Sequence, residues 1–272
     1  MDVSASNGQT GLLDMGWPPT AYCAAHEYDL CANVYDDLWG QRTDDVAFYQ
    51  EELRKYCGPV LELACGTGRL LRALQQERRE LWGIDCSRRM LDYCPCGCRV
   101  VHGDMRDFHL GQRFGTIILA FASIAHILED EDRLRVFACA RRHLSDGSTF
   151  VMDDTNGRAW ALQKLSVTLH TKPEVWLADG TRRRVISNYI HDAVRPVIVR
   201  YDVVDWLVGD DNRVMRRQLY RFAFRYAEAE ETHRLLLQAG FRSVDILGSF
   251  RRTPYDFDRR WSNSRQIFIA AS

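Results

Sequence analysis

Short apolar runs alternate with helically spaced apolar residues through the first half of the chain. Residues 60–64 form an apolar run that ends at a glycine turn, and a helical face follows at 70–74. Four further apolar runs have the length of buried strands: residues 81–84, 99–102, 116–121 and 149–152. Helical spacing separates them at 87–93 and 131–144. Strands that alternate with helices predict a doubly wound, Rossmann-like α/β domain that binds ligands at the carboxyl ends of its strands.

The pattern changes after residue 156. Three long β-rich stretches follow, separated by turn signals: residues 185–190, 197–208 and 214–226. The middle stretch alternates between two faces, which is typical of a half-buried antiparallel strand. We expect these stretches to form an antiparallel insertion after the fifth strand. A helix at 228–239 and strands at 244–247 and 266–270 then complete a mainly parallel seven-stranded sheet, whose last strand is a candidate for antiparallel pairing.

The N-terminal region predicts two helices within residues 22–56, preceded by a loose tail. The sequence therefore predicts four segments: a flexible tail at 1–20, lid helices at 21–56, a core formed by 57–156 with 227–272, and the β insertion at 157–226.

Composition narrows the classes of protein that fit this chain of 272 residues. Hydrophobic residues make up 46% and charged residues 27%, as in an ordinary globular protein. The net charge of -1 does not show the excess of positive charge that is typical of nucleic-acid-binding proteins. No run of about 18 apolar residues predicts a membrane helix, and residues 1–20 do not resemble a signal peptide. We therefore expect a cytoplasmic protein without nucleic-acid or membrane partners.

Nine cysteines are present, and we expect them to be thiols. Cys94, Cys96 and Cys98 cluster around a proline and a glycine. Their one-residue spacing is poor for zinc, although Cys86 or His102 could supply a fourth ligand. A compact turn explains the cluster better, and we predict no metal site.

The glycine turn at residues 62–68 lies between a strand and a helix, where glycines let the backbone approach a ligand. Leu71 stands where a dinucleotide fingerprint requires a third glycine, and no P-loop lysine follows. The ligand is therefore expected to lack a diphosphate at this loop. Asp85 and Asp104 end the next two strands, where carboxylates could bind ribose hydroxyls and an exocyclic amine. Either aspartate alone could equally be a helix cap or a turn former.

Together, residues 60–68, 83–91 and 103–108 make the chain resemble class I S-adenosylmethionine-dependent methyltransferases. Residues 103–110 and 121–128 are similar to small-molecule methyltransferases, including those that dimethylate amino sugars. The resemblance implies S-adenosylmethionine as the cofactor and a small-molecule acceptor, with nitrogen favoured over oxygen. It assigns the methionyl part to the first loop (Glu62, Ala64, Gly66, Gly68), the ribose to Asp85, the adenine face to Cys86 and Met90, the adenine edge to Asp104 and Met105, and the floor near the sulfonium to Phe121.

The catalytic candidates are His126, which follows the fourth strand, and Tyr35 in the predicted lid. An imidazole with a pKa near neutrality suits deprotonation of an ammonium or hydroxyl group. In the same lid, Tyr28 offers an aromatic face to the sulfonium, and Arg42 could pair with the methionyl carboxylate. The alternatives are a structural histidine and tyrosines, including Tyr49, that simply pack the helices onto the core.

Two positions depart from the family pattern. Ala64 replaces a common glycine, which we interpret as a methyl group that narrows the approach to the loop. Gly115 replaces a common aspartate before the fourth strand, which removes a capping contact and predicts lower local rigidity.

Two other functions compete with small-molecule methylation. A catalytically idle cofactor-binding or scaffolding protein could retain the same fold, although the intact motifs argue against decay. Nucleic-acid methylation is disfavoured by the charge and by the absence of an Asn/Asp-Pro-Pro-aromatic tetrad. We expect the insertion, at about 182–226, to select the acceptor, with Trp206, Tyr220 and Tyr226 as packing residues. The unpaired strand edges of the insertion would also suit pairing with a second subunit in a homodimer.

Overall fold

The computed structural model describes residues 24–156, 169–172, 174–177, 180–192, 194–209, 211–258, 263 and 265–272. The predicted tail at 1–20 and part of the insertion, 157–168, lie outside these residues. No helix among the described residues is long and apolar enough to cross a membrane.

Two β-sheets and six α-helices make up the described part of the chain. The first sheet contains β1 (Val60–Leu63), β2 (Leu81–Asp85), β3 (Arg99–His102), β4 (Phe114–Leu119), β5 (Leu144–Thr155), β11 (Ser243–Leu247) and β12 (Arg265–Ala271). The second contains β6 (His170–Thr171), β7 (Val175–Trp176), β8 (Arg182–His191), β9 (Val197–Val208) and β10 (Arg213–Arg225). The helices are α1 (Ala24–Trp39), α2 (Val46–Arg54), α3 (Arg69–Leu74), α4 (Arg88–Leu91), α5 (Asp130–His143) and α6 (Ala229–Gln238).

The first sheet has the strand order β11-β12-β5-β4-β1-β2-β3. β12 runs antiparallel to both neighbours, and the other pairs are parallel. Every residue of β1 and β4 is buried, as expected for central strands covered on both faces. The predicted mainly parallel seven-stranded fold with an antiparallel insertion is confirmed, whereas the division into four segments stays a prediction.

Apolar side chains cover both faces of the first sheet. One cluster joins the sheet to α5 and α6 through residues such as Phe137 and Leu236, and the other joins it to α2 and α3 through Leu53 and Leu71. Helix α5 begins with three acidic residues and ends with three basic ones, which suits its dipole. This framework holds the carboxyl ends of β1, β2 and β4 in fixed positions.

Helix α1 packs against the second sheet rather than against the first. Its buried Cys31 and Val34 contact an apolar cluster of that sheet, which includes Val204, Tyr220 and Phe222. The second sheet is antiparallel, with the order β10-β9-β8-β6 and with β7 also paired to β8. The predicted packing role of Tyr220 agrees with its burial. Helix α1 thus belongs to the apolar core of the second sheet.

The structure explains the glycine at position 115 by close backbone packing, and not by the lost capping contact that the sequence suggested. A Cβ atom there would lie 1.7 Å from the backbone oxygen of Cys57, so no side chain fits. The amide of Gly115 donates to the carbonyl of Pro59 at 2.9 Å. Backbone packing therefore replaces the expected side-chain contact at the start of β4.

Candidate active site

A cavity of about 240 Å³ lies at the carboxyl ends of β1, β2 and β4, below α1 and the second sheet. Most predicted site residues line it: Tyr28, Tyr35, Arg42, Ala64, Gly66, Asp85, Cys86, Met90, Met105, Phe121 and His126. Glu62, Gly68 and Asp104 are not among the residues that line the cavity. The structure thus brings together side chains that are far apart in sequence, but three predicted contacts lie outside the wall.

Asp85 organises the glycine loop. Its two carboxylate oxygens accept hydrogen bonds from the amides of Gly66 and Ser87, each at 2.8 Å. Burial raises the pKa of Asp85, while these two amide bonds oppose the rise. A carboxylate has about four acceptor positions, so two remain for hydroxyl groups of a ligand. The geometry fits recognition of a ribose diol.

Helix α1 is tied to this half of the cavity by two aspartates that the sequence analysis missed. Asp29 accepts a 2.6 Å hydrogen bond from the hydroxyl of Ser87, the N-cap residue of α4. Asp36 accepts a 2.5 Å bond from the hydroxyl of Thr67 in the glycine loop. The seven-residue spacing of Asp29 and Asp36 puts both on one helical face, which was the available signal.

Ala64 adopts a left-handed backbone conformation, with φ of 53°. An L-residue in this region costs roughly 1–2 kcal/mol relative to right-handed geometry. Backbone conformation therefore explains why glycine is common at this position. The predicted narrowing of the approach to the loop by the Ala64 methyl group is a smaller part of what the substitution does. Strain of this kind is found at functional loops that the surrounding structure holds in place.

Gly68 serves packing instead of forming the cavity wall. Its φ is 74°, and a Cβ atom would lie 2.6 Å from Cδ of Pro95 and 3.1 Å from Sγ of Cys94. The cysteine-rich turn therefore abuts the glycine loop.

Among the described residues, no group of three or more His, Cys, Asp or Glu could hold a metal ion.

Glu62 is buried behind the loop, and its Oε2 atom has no hydrogen-bond partner among the described residues. Burial raises the pKa of Glu62 well above its usual value, although the guanidinium of Arg69 opposes this rise. A buried carboxyl group without a partner is stabilised by a cationic ligand group. The amine of a methionyl group is such a cation, so this residue fits S-adenosylmethionine.

Asp104 is engaged in an ion pair rather than directed at the cavity. Its carboxylate binds the guanidinium of Arg106, with a shortest distance of 2.6 Å, and Arg106 also binds Asp132. Partial burial would raise the pKa of Asp104, but the bonds from Arg106 lower it. The predicted contact with the adenine edge is therefore supported for Met105, which lines the cavity, and not for Asp104 in this arrangement.

His126 lies at the end of a 3-10 turn, Ser123–His126, and faces the second sheet. Its Nδ1 lies 3.1 Å from the carbonyl oxygen of Ala223, and its Nε2 lies 2.7 Å from the hydroxyl of Tyr28. Since a carbonyl only accepts, Nδ1 carries the proton and Nε2 accepts from Tyr28. Burial, assisted by the positive charge of Arg200, lowers the pKa of His126 to about 3. The expectation of a pKa near neutrality is therefore wrong, and the imidazole is a weak base.

Tyr35 and Tyr28 form an edge-to-face pair with ring centroids 5.9 Å apart. Burial raises the pKa of Tyr35, so its hydroxyl stays protonated and cannot act as a base at neutral pH. Tyr49, by contrast, is fully buried and donates a 2.7 Å hydrogen bond to Asp153, as the packing alternative predicts.

Arg42 and Phe121 form one corner of the cavity. The guanidinium of Arg42 lies 4.7 Å from the ring centroid of Phe121 and pairs with Asp44 at 2.5 Å. The carboxylate predicted for Arg42 is thus supplied by the protein itself. Phe121 has φ of 61°, and its amide donates to the buried Asp153 at 2.7 Å. This bond fixes the strained backbone that turns the Phe121 ring to the cavity.

The wall formed by the second sheet was largely missed. It contributes Arg200 from β9, Phe222 and Phe224 from β10, and Tyr226 just beyond, which was expected only to pack. Arg200 lies over both phenylalanine rings, at 4.8 and 5.0 Å from their centroids, and its Nε is 3.0 Å from Asp202. The available signal was a pair of opposite charges, Arg200 and Asp202, on a face of β9 that otherwise carries apolar residues. Trp39, Arg225 and Arg265 were missed because nothing local marks them.

Comparison with known proteins places this geometry in a class. Residues 60–147 match the family model described as a methyltransferase domain. The chain is 27% identical over 132 residues to the dTDP-3-amino-3,4,6-trideoxy-alpha-D-glucopyranose N,N-dimethyltransferase of Streptomyces venezuelae, covering 45% of this chain and 56% of that protein. It is 32% identical over 106 residues to the dTDP-3-amino-3,6-dideoxy-alpha-D-glucopyranose N,N-dimethyltransferase of Streptomyces fradiae, covering 38% and 42%.

Among solved structures, the chain is similar to the CcbJ methyltransferase of Streptomyces caelestis, with a TM-score of 0.73 and 24% identity over 92% of this chain and 99% of that one. This likeness shows the fold. The matches confirm the predicted resemblance to class I methyltransferases of the amino-sugar type, and they support S-adenosylmethionine as the cofactor of this domain. The chain spans about half the length of the curated relatives it matches.

Proposed function

We propose that the protein transfers a methyl group from S-adenosylmethionine to an amine nitrogen of a small molecule of the amino-sugar class. The observation that carries the proposal is one cavity with two unlike halves: Asp85 and the glycine loop on one side, and aromatic rings around His126 on the other. The names of the two relatives support an amino sugar as the acceptor. A sulfonium methyl group is what the cofactor supplies when bound.

In this proposal the cofactor half binds and orients. Asp85 accepts the ribose hydroxyls, and Cys86, Met90 and Met105 contact the adenine ring. Phe121 and the lid tyrosines exclude water beside the sulfonium, where aromatic faces also stabilise positive charge. Methyl transfer then depends mainly on holding donor and nucleophile in line.

His126 has a positioning role in this scheme, acting through Tyr28. Its neutral imidazole accepts the hydroxyl proton of Tyr28 and so fixes the orientation of that hydroxyl beside the cavity. The guanidinium of Arg200 opposes positive charge in the same region, since it contributes to the lowered pKa of His126. This positive charge favours an acceptor amine bound as the free base, which is the nucleophilic form.

The decisive experiment has two stages. Titration calorimetry with S-adenosylhomocysteine tests the cofactor half, and release of S-adenosylhomocysteine from S-adenosylmethionine then tests turnover against a panel of free and nucleotide-linked amino sugars. Matched sugars with a hydroxyl in place of the amine distinguish nitrogen from oxygen methylation. Cofactor binding without turnover on any panel member would favour the idle alternative.

We also propose a homodimer that pairs through β10, in a cytoplasmic setting. This strand ends the second sheet and carries the exposed side chains of Val214, Met215 and Leu219. Sedimentation of the wild type and of Leu219→Lys tests the dimer.

The eight described cysteines are all free thiols, which suits a reducing compartment. We expect neither a nucleic-acid nor a membrane partner, since the net charge of -1 gives no overall attraction to polyanions.

A further inference from the structure

Two thiols meet beneath the glycine loop. Cys65 lies in the loop itself, and Cys94 lies in the turn after α4. Both sulfur atoms lie against one carbonyl oxygen. The Cys94 thiol donates to the carbonyl oxygen of Gly66 at 3.3 Å, and Sγ of Cys65 is 4.0 Å from the same oxygen. The two sulfur atoms are thus neighbours in space, although 29 positions separate them in sequence.

Two glycines, Gly68 and Gly83, lie close to the sulfur atoms of Cys94 and Cys65. A Cβ atom on Gly68 would lie 3.1 Å from Sγ of Cys94, and a Cβ atom on Gly83 would lie 2.7 Å from Sγ of Cys65. Larger residues at these two positions would therefore collide with the sulfur atoms. The two glycines therefore leave room for the two sulfur atoms beneath the loop.

The two thiols differ in character, as an attacking and a resolving cysteine do. The neighbouring thiol of Cys65 lowers the pKa of Cys94; burial opposes this effect, as do Asp85 and Asp36, while Arg72 assists it. The thiol of Cys94, together with burial, raises the pKa of Cys65. Cys94 is half-buried and so reachable by a small oxidant, whereas Cys65 is buried. The thiolate is the reactive form, so Cys94 is the thiol that attacks.

We propose that Cys94 is a site of reversible oxidation and that its disulfide with Cys65 switches off cofactor binding. With hydrogen peroxide as oxidant, the Cys94 thiolate attacks one peroxide oxygen. An S–O bond forms, the O–O bond breaks, and hydroxide leaves. Cys65 then attacks the Cys94 sulfur, and the S–O oxygen leaves as water with the Cys65 proton. In total, two thiols and one peroxide give one disulfide and two waters.

The consequence for the loop follows from its hydrogen bonds. An S–S bond of about 2.05 Å is far shorter than any contact between non-bonded sulfur atoms, so Cys65 must move towards the turn. The carbonyl of Gly66 loses its thiol donor at the same time, and the amide of this residue is the one that binds Asp85. We therefore expect the disulfide to lower affinity for S-adenosylhomocysteine at least tenfold.

The first test is a thiol map. The purified wild-type protein is treated with one equivalent of hydrogen peroxide, alkylated, digested and analysed by mass spectrometry. A peptide pair linked through Cys65 and Cys94, released by dithiothreitol, is the expected result. Linkage of Cys94 to Cys96 or Cys98 instead, or a fully reduced protein, would overturn the proposal.

The second test is calorimetry with S-adenosylhomocysteine before oxidation, after it, and after dithiothreitol. Wild type and the matched control Cys96→Ser should lose affinity and regain it, whereas Cys94→Ser should keep it throughout. Unchanged affinity in protein shown to carry the Cys65–Cys94 disulfide contradicts the switch. A reduced protein that does not bind S-adenosylhomocysteine contradicts the proposed function and the switch together, while the thiol map still decides the site.

Discussion

The two halves of the cavity are built in different ways. The cofactor half relies on contacts that are short in sequence, because Asp85 meets amides 19 and two positions away. The half around His126, which we propose binds the acceptor and call the acceptor half, relies on contacts across the molecule. His126 meets Ala223 and Tyr28, which are 97 and 98 positions away in sequence. A shared family motif can specify the first half. The second depends on how the insertion sheet and α1 come together, and so it is free to differ between relatives.

Replacing Asp85 by alanine should have the largest effect and should act on the cofactor half alone. Losing charge-assisted hydrogen bonds worth about 1.5–3 kcal/mol predicts a fall of roughly 10-fold to 150-fold in affinity for S-adenosylhomocysteine. Calorimetry measures it, with Asp104→Ala as the control that should change nothing. Equal losses in the two variants would return Asp104 to the site.

His126→Ala tests the acceptor half. We expect turnover to fall between a few-fold and roughly 100-fold, while affinity for S-adenosylhomocysteine stays at the wild-type value. Glutamine can still donate to Ala223 and accept from Tyr28, so His126→Gln should keep most of the turnover. Steady-state kinetics with an accepted amine gives the answer, and wild-type turnover in His126→Ala would remove His126 from the mechanism.

The pH dependence of stability should separate the halves again. The folded-state pKa of His126, about 3, lies below its ordinary value, so the unfolded chain binds a proton first as the pH falls. Stability due to this residue is therefore complete above about pH 6.5 and declines below it, by about 2 kcal/mol at pH 5. Urea unfolding at pH 8 and pH 5 should show this extra loss in wild type but not in His126→Gln. An equal loss in both proteins would contradict the assignment.

The smallest effect concerns backbone strain in the cofactor half. Ala64→Gly should raise the free energy of unfolding by up to about 1 kcal/mol, since relief of left-handed strain exceeds the entropy cost of glycine. Gly66→Ala, at φ of 56°, should lower it by about 1–2 kcal/mol. Thermal and urea unfolding measure both variants. Destabilisation by Ala64→Gly would show that the loop does not hold strain.

Prediction from sequence succeeds where local pattern determines structure. The limits of β3 and β9 are the predicted ones, because apolar runs between turn residues define them. Asp85 and Gly66 could be placed because strand ends and loop glycines leave a local trace. Arg200 could not, since its importance depends on cross-strand pairing with Phe222 and on the rings above it. The low pKa of His126 was equally hidden, because burial is a tertiary property.

The contacts of α1 have a consequence for how the chain folds. Glu27 accepts a hydrogen bond from the amide of Arg221, 194 positions later, and Asp37 pairs with Arg183 of β8. The helix is therefore synthesised well before β8 and β10 and finds its partners only once both strands have left the ribosome. Contacts at such separation form slowly, so α1 docks late. The acceptor cavity is thus completed by an element made long before its partners, in one of the last folding steps.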